Sequence, residues 1–488
     1  MDEAVDVVIV GGGNAGLSAA HAAAARGRRT VVLEKASRAE AGGNSYYTAG
    51  AFRVVHHGLE DLGPVLDHDD RLPNTVVPAY TAQDFGTDMA RLTNGRNDPV
   101  LTRALVDDSH ELLGWLHGLG LRFRLMYERQ AYRTADGTYR FWGGVAVGST
   151  GGGQGLIEQH TAAAQAAGVD IRYGWAATEL LRAGDRVAGV RWSESNGREG
   201  VLRAESVILA AGGFEANADL RARYLGPEWK NAKVRGTPNN TGEMLVAAMA
   251  IGAAPNGDWT TCHSVAWDAG HPRNESNRQL TNRLTRGGYP LGIIVNAEGR
   301  RFVDEGADFR NFTYARYGAD VLRQPGGVAY QVFDAQTRPL LRVEEYDMPG
   351  VSGFSANSIE ALAGLVGIDP VGLRVTVDDF NASIDRERPF DPTILDHRAA
   401  RTTPPKSNWA VPLDKPPYYA FPVTCGITFT FGGLRADDHG RVLAAAGSVI
   451  DGLYVCGEML GGLFSGNYPG GTGLTSGAVF GRRCGALA

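Results

Sequence analysis

Cysteine is scarce in this chain of 488 residues: there are four, Cys262, Cys425, Cys456 and Cys484, and no two are spaced as CxxC. That spacing argues against a zinc site or a thioredoxin-type motif, and so few thiols in so long a chain make no disulfide scaffold. A CxxCH haem attachment and an iron–sulfur cysteine pattern are missing too. No stretch approaches the roughly 20 apolar residues of a membrane-spanning helix. The N-terminal MDEAVDVVIVGGG lacks the basic region and cleavage site of a signal peptide. Basic charge is not in excess: the formal net charge is -6, which argues against a nucleic-acid footprint with its basic stripe. These absences lead us to expect a cytoplasmic protein with reduced thiols, no nucleic-acid partner and no stable membrane insertion.

Glycine, in contrast, is abundant. Its 66 residues are roughly twice the usual share of about 7 %. They follow no collagen-like period, so they must serve turns and close backbone approaches. Hydrophobic residues at 43 % and charged residues at 21 % are ordinary globular values, and the length suits two or three domains or one domain with an insertion.

The first motif uses those glycines. Residues 6–10 (DVVIV) form a short β-branched run of the buried parallel-strand type. GGGNAG follows at 11–16, then an Ala-rich helical run over 17–26, then a second strand, TVVL, at 30–33. Gly11, Gly13 and Gly16 give GxGxxG inside a complete strand–helix–strand unit, and Glu34 lies 18 residues after Gly16. The glycines let backbone N–H groups approach a pyrophosphate at the helix N-terminus. The acid can bond a ribose 2′-hydroxyl and disfavours a 2′-phosphate. An ADP-containing dinucleotide is expected, and this unit alone does not separate NAD from FAD.

Further segments extend the pattern. TGGGQG (150–155) opens a helical stretch, GVDIR (168–172) and TELL (178–181) follow it, and RVAGVRW (186–192) reads as a strand. ESVILAAGG (205–213) reads as a strand ending in a glycine turn, NNTGEM (239–244) opens a helix, and GLYVCGE (452–458) is a strand ending in Gly-Glu. NYPGGTGL (467–474) precedes the last helix, 475–484.

On GGGNAG, the EK plus GGNS loop (34–45), ILAAGGF (208–214), TGEM (241–244), GIIVNAEGRRFVDE (292–305) and GLYVCGE, the chain resembles the fumarate reductase/succinate dehydrogenase flavoprotein superfamily over essentially its whole length. Within it, FVDEGADFRNFTYARYG (302–318), PVTCGITFTFGGL (422–434) and NYPGGTGLTSGAVFGR (467–482) look most similar to the tricarballylate dehydrogenases. The resemblance implies an α/β protein with a Rossmann-type FAD-binding domain split in sequence (1–254 and 419–488) and an inserted α+β capping, substrate-binding domain (255–418). The implied cofactor contacts are Gly11, Gly13, Asn14, Ala15, Gly16, Glu34, Lys35, Gly42, Gly43, Asn44, Ser45, Thr48, Ala49 and Gly50. They continue with Gly153, Ala177, Ala211, Gly212, Gly213, Thr241, Glu243, Gly457, Glu458, Gly471, Thr472, Gly473 and Leu474. Glu458 would bond the ribityl chain, and the helix starting near Thr472 would face the flavin's pyrimidine edge. Membrane-bound relatives link flavin to a His in the GGNS loop. Tyr46 stands there in this chain, so non-covalent FAD is expected.

The implied reaction moves a hydride between flavin and a carbon beside an activating group, and a proton at the neighbouring carbon. The charge that develops calls for fixed cations, and Arg forks onto carboxylates. By resemblance, Arg310 transfers the proton, His263 holds a carboxylate or carbonyl oxygen, and Arg286 matches one member of a proton-relay pair. The relay's acidic partner is replaced by Arg283, which leaves Arg283 and Arg286 as carboxylate clamps. Two further positions depart from fumarate reductases: ITFTFGG (427–433) has no His before its glycines, and Tyr468 replaces a substrate-clamping Arg. The Tyr-Pro-Gly turn resembles 3-ketosteroid dehydrogenases, where such a Tyr bonds a carbonyl. Tyr468 could accept a proton if nearby arginines lowered its pKa. Asp304 and Glu305 are expected to be structural.

The leading expectation is desaturation beside a carboxylate on a small polycarboxylic acid, with Arg273, Arg278, Arg283, Arg286 and Arg310 suiting an anionic substrate. The alternatives are a desaturase or ene-reductase acting beside a ketone, and a partner-dependent electron-transfer module. Electrons would pass to oxygen, a quinone or a separate redox protein.

Overall fold

The structure is a computed structural model that describes residues 2–271 and 277–488. Its main sheet begins where the apolar runs predict. Asp2–Val10 pairs in parallel with Thr30–Glu34 on one side and Glu199–Leu209 on the other. Asp170–Tyr173 extends the parallel set beyond Thr30–Glu34, and Val449–Val455 joins Glu199–Leu209. All five residues of Thr30–Glu34 are buried, as a strand covered on both faces requires. The strands Trp175–Ala183 and Arg186–Glu194 add antiparallel to the N-terminal half of Glu199–Leu209. The segment 178–181 therefore belongs to a strand, and the strand expected from 205 begins six residues earlier.

The helix Asn14–Ala24 packs on this sheet and is buried over most of its length, because alanine and glycine leave it thin. The C-terminal helix Thr472–Leu487 lies directly against it. Gly481 and Gly485, one turn apart, make that approach possible: a Cβ at Gly481 would sit 2.3 Å from the Ala15 carbonyl oxygen, and one at Gly485 2.1 Å from that of Ala19. Both helices begin about three residues earlier than the apolar pattern suggests, at Asn14 and Thr472, since each glycine turn runs directly into helix.

A second sheet is organised by the 17-residue strand Tyr418–Leu434. It pairs antiparallel with Pro255–Asp268 and Val328–Phe333 and parallel with Lys233–Val234. The expected crossing points near 255 and 419 thus fall at the starts of its two longest strands. One hydrophobic cluster draws on residues 5–262 and 425–488 with Ala315, while four smaller clusters draw on residues 265–423. The four cysteines are buried and unbridged. Among the described residues no helix is long and apolar enough to cross a membrane, and no His, Cys, Asp and Glu group could hold a metal ion.

Candidate active site

The strand ends of the main sheet and the start of Tyr418–Leu434's glycine-rich half meet at one cavity of about 400 Å3. At its first end, Gly11 turns the chain with φ +107°, and a Cβ there would lie 2.3 Å from the Ala210 carbonyl oxygen. The helix that follows has Gly13 as its N-cap and no side-chain cap, so its N-terminal dipole opens on the cavity. Glu34 folds back to accept from the Gly12 and Ala36 amides at 2.9 and 2.8 Å. Burial pushes its carboxyl pKa up despite those two bonds.

The remaining expected cofactor residues divide into two groups. Ala15, Lys35, Gly43, Asn44, Ser45, Thr48, Ala49, Ala177, Ala211, Gly212, Glu243, Gly457, Glu458, Gly471, Gly473 and Leu474 border the cavity with Gly11, Gly13, Asn14 and Glu34. Gly16, Gly42, Gly50, Gly153, Gly213, Thr241 and Thr472 are not on its wall. Most of these glycines let backbones touch instead: a Cβ at Gly16 would lie 1.9 Å from the Gly11 oxygen, and one at Gly153 2.2 Å from the Ser45 oxygen. Thr241 belongs to a knot with Lys35 and Glu243.

Asn44 spends its amide on protein: it accepts from the Thr237 N–H and donates to Glu215 Oε1 and the Thr428 carbonyl. Asn14 ties three helices, donating to the Leu474 carbonyl and meeting His160 Nε2 through its own Oδ1. Glu458 accepts from Thr430 N–H at 2.7 Å, while Glu215 accepts from Asn44 and Asn240. Burial, then the neighbouring Glu215 carboxylate, pushes Glu458 well up, and burial raises Glu215 as well, so the two carboxyls favour sharing a proton. Tyr46 lies under the Arg278 guanidinium, whose carbon is 3.4 Å from the ring centroid. Arg278 also donates to the Glu40 and Ala41 carbonyls.

A register shift in Tyr418–Leu434 shapes the other end. His263 pairs with Phe429 and Ser264 with Ile427, which leaves Thr428 as an extra residue. Thr428, Phe429, Thr430 and Phe431 consequently all border the cavity, which strict alternation would forbid. His263 stacks on Phe429 at 5.1 Å and meets Tyr314 and Tyr468 edge-on. Neither of its ring nitrogens has a protein partner. Burial, helped by the Arg235 charge, pulls its pKa well down, so the imidazole is neutral.

Tyr468 and Tyr314 share a 2.5 Å hydroxyl contact. Burial first, then Tyr314, pushes Tyr468 well above the ordinary phenol value, and the Arg235 and Arg53 charges oppose this without reversing it. The condition under which Tyr468 could act as a base, a pKa lowered by arginines, is therefore not met: its hydroxyl stays neutral.

Arg310 borders the cavity and is 7 % exposed. Its Nε has no partner, and its Nη1 lies 3.9 Å from Glu345. Glu345 is completely buried and also engages Arg129 at 2.9 Å, Arg342 at 3.1 Å and the Gly287 N–H. Burial would raise the Glu345 carboxyl, but Arg342, Arg129 and Arg310 together hold it at about 2. Burial, with the Arg342 and Arg129 charges, pulls Arg310 down to about 9 against the pull of Glu345.

The other expected arginines lie elsewhere. Arg286 is buried off the cavity, its Nη2 2.6 Å from Asp268, which neutralises it as a clamp. Arg283 is exposed, and Arg273 lies outside the described residues. Glu305 pairs with Arg301, and Asp304 accepts from the Gly306 and Ser407 amides. Two arginines that no motif marks border the cavity instead: Arg129, at the end of a short helical turn, and Arg235, beside Thr285 and Thr428. The only sequence signal was an arginine inside an otherwise small and apolar stretch, VRGTP (234–238).

The cavity fits FAD. Two helix N-termini without side-chain caps, at Gly13 and Gly471, open on it, and Glu34 and Glu458 stand along its wall. Comparison with known proteins points the same way. The family described as FAD binding domain matches residues 6–474. A probable fumarate reductase of Shewanella frigidimarina is 28% identical over 495 residues, covering 99% of this chain and 74% of the relative. A 3-oxosteroid 1-dehydrogenase of Mycobacterium tuberculosis is 28% identical over 555 residues, covering 95% of this chain and 94% of the relative. The solved open conformation of a flavocytochrome c3 fumarate reductase matches with a TM-score of 0.72 at 25% identity, over 99% of this chain and 78% of that one.

Proposed function

This chain belongs to the FAD binding domain family, and from that premise we propose that it desaturates a carbon–carbon bond beside a carboxylate of a small, tricarballylate-like acid. It is an FAD-dependent oxidoreductase acting on CH–CH groups, as its relatives are. The observation that carries the acid reading is Arg310, a buried guanidinium on the cavity wall with an unpartnered Nε.

Bound FAD supplies the hydride acceptor, or the donor in the reverse direction. The chain does the rest. Residues 255–418 cap the cavity, the neutral His263 donates from a ring N–H to a substrate oxygen, and the aromatic wall of Phe429, Phe431 and Phe464 keeps water away. Arg310 takes the α-proton on a guanidine nitrogen as the C–H bond breaks and the double bond forms. Its pKa of about 9 leaves about one per cent of it neutral two pH units below that value, a fraction that an ordinary arginine would never reach. Arg129, tied to Glu345, holds positive charge beside it. Tyr468, as a neutral donor paired with Tyr314, favours a second reading in which the activating group is a ketone oxygen.

Anaerobic absorbance of the yellow protein tests this. Tricarballylate or succinate is expected to bleach the flavin band. A ketosteroid that bleached it while every acid failed would replace the first reading by the second. The same titration, followed by oxygen, a quinone or a redox protein, identifies the electron acceptor.

A further inference from the structure

Several buried arginines of this fold are matched by carboxylates: Arg286 with Asp268, Arg301 with Glu305, and Arg129 and Arg310 with Glu345. Arg235 breaks that pattern. It is 9 % exposed and borders the cavity, yet among the described residues no carboxylate lies within 4.0 Å of it. Its protein partners are two neutral hydroxyls, Thr285 Oγ1 to Nε and Thr428 Oγ1 to Nη1, each at 3.0 Å. A guanidinium has five N–H donors, and burying its charge beside dipoles alone is costly. The neighbouring ring of His263 has two unpartnered nitrogens. A cation and a neutral N–H donor thus face one cavity without an anion between them.

We propose that Arg235, together with His263, forms a second carboxylate subsite, so that the substrate carries at least two carboxylates, one at Arg310 and one at Arg235. The assignment rests on the acid reading above and deepens it. It also accounts for how this chain does without a carboxylate-binding His in 427–433 and with Tyr468 in place of an Arg: the cation comes from residue 235, directly after the strand Lys233–Val234. The two threonine hydroxyls engage one N–H each, at Nε and Nη1, and leave three of the five donors for a carboxylate.

The test uses holoenzyme with oxidised flavin and unsaturated acids, which form a dead-end complex. Aconitate has three carboxylates and crotonate one, and binding is read from the shift of the flavin band. In Arg235→Gln the Kd for aconitate is expected to rise at least tenfold, with that for crotonate within threefold. Arg235→Lys should fall between and carries the comparison if the Gln variant fails to retain FAD. Unchanged aconitate affinity with a lowered flavin reduction potential would overturn the subsite, because the charge would then be serving the reduced flavin. Equal weakening of both acids would overturn it as well. If the wild type bound neither acid, the acid reading itself would fail, and the subsite with it.

Discussion

Arg310 is a weaker base than an exposed arginine, but far more of it is neutral and able to accept a proton at a given pH, and its environment sets that balance. At about 9, the pKa predicts the sign of the pH dependence. Oxidation of a saturated acid needs the neutral guanidine, so flavin reduction should speed up about tenfold per pH unit and level off above about 9. The reverse reaction needs the cation and should be flat below that value and fall above it. Stopped-flow reduction of the flavin by the saturated acid measures the first limb, and reoxidation of reduced flavin by the unsaturated acid the second. Arg310→Ala should slow the step on the order of 10²–10⁴-fold and remove the break. Tyr468→Phe should leave the break in place, since Tyr468 is protonated throughout; if its break vanished, the proton would belong to the tyrosine pair. Tyr46 predicts a further outcome. Its ring is held by Arg278 and offers no imidazole to the flavin, so acid precipitation should release all the yellow colour to the supernatant, and colour left in the pellet would show a covalent bond.

Among the elements, the two helices at the dinucleotide end depend on bare backbone. Gly481→Val would place carbon 2.3 Å from a carbonyl oxygen that cannot yield without moving the helix Asn14–Ala24. We expect a loss of about 1–3 kcal/mol of stability and weakened FAD retention, read by thermal unfolding and by the ratio of flavin to protein absorbance. This part of the molecule was legible in the sequence because its physics is local: an apolar run, a glycine turn and a thin helix follow one another along the chain. The site's chemical end was not. Four successive residues, 428–431, face the cavity because of a one-residue shift against His263, and no alternation rule reports such a shift. The arginines were sought in the capping segment, yet Arg129 and Arg235 come from before residue 255 and reach the cavity only through folding. Arg286 sits in an arginine-rich motif but is consumed by Asp268, a residue 18 positions away whose pairing only the packed strands reveal.

Across the whole molecule, one cavity gathers segments from Val10 to Gly477, nearly the full length of the chain. Glu458 reaches it from the end of Val449–Val455, Glu34 from the end of Thr30–Glu34, and Arg310 from a short helix more than 250 residues after the first glycine turn. A ligand in that position touches segments drawn from across the chain, so it stabilises them jointly. It also covers the carboxyls of Glu34 and Glu458, whose pKa values burial raises. Removing FAD should therefore lower the unfolding temperature of the entire chain rather than melt one end. Adding it back at a hundred times its Kd should restore about 2.7 kcal/mol through mass action alone. Thermal scans of the stripped and reloaded protein, followed by tryptophan fluorescence and by far-ultraviolet dichroism, check this. The two probes should shift together. A fluorescence transition that moved while the dichroism stayed in place would mean that the cavity's segments are stabilised independently, and that FAD does not link them.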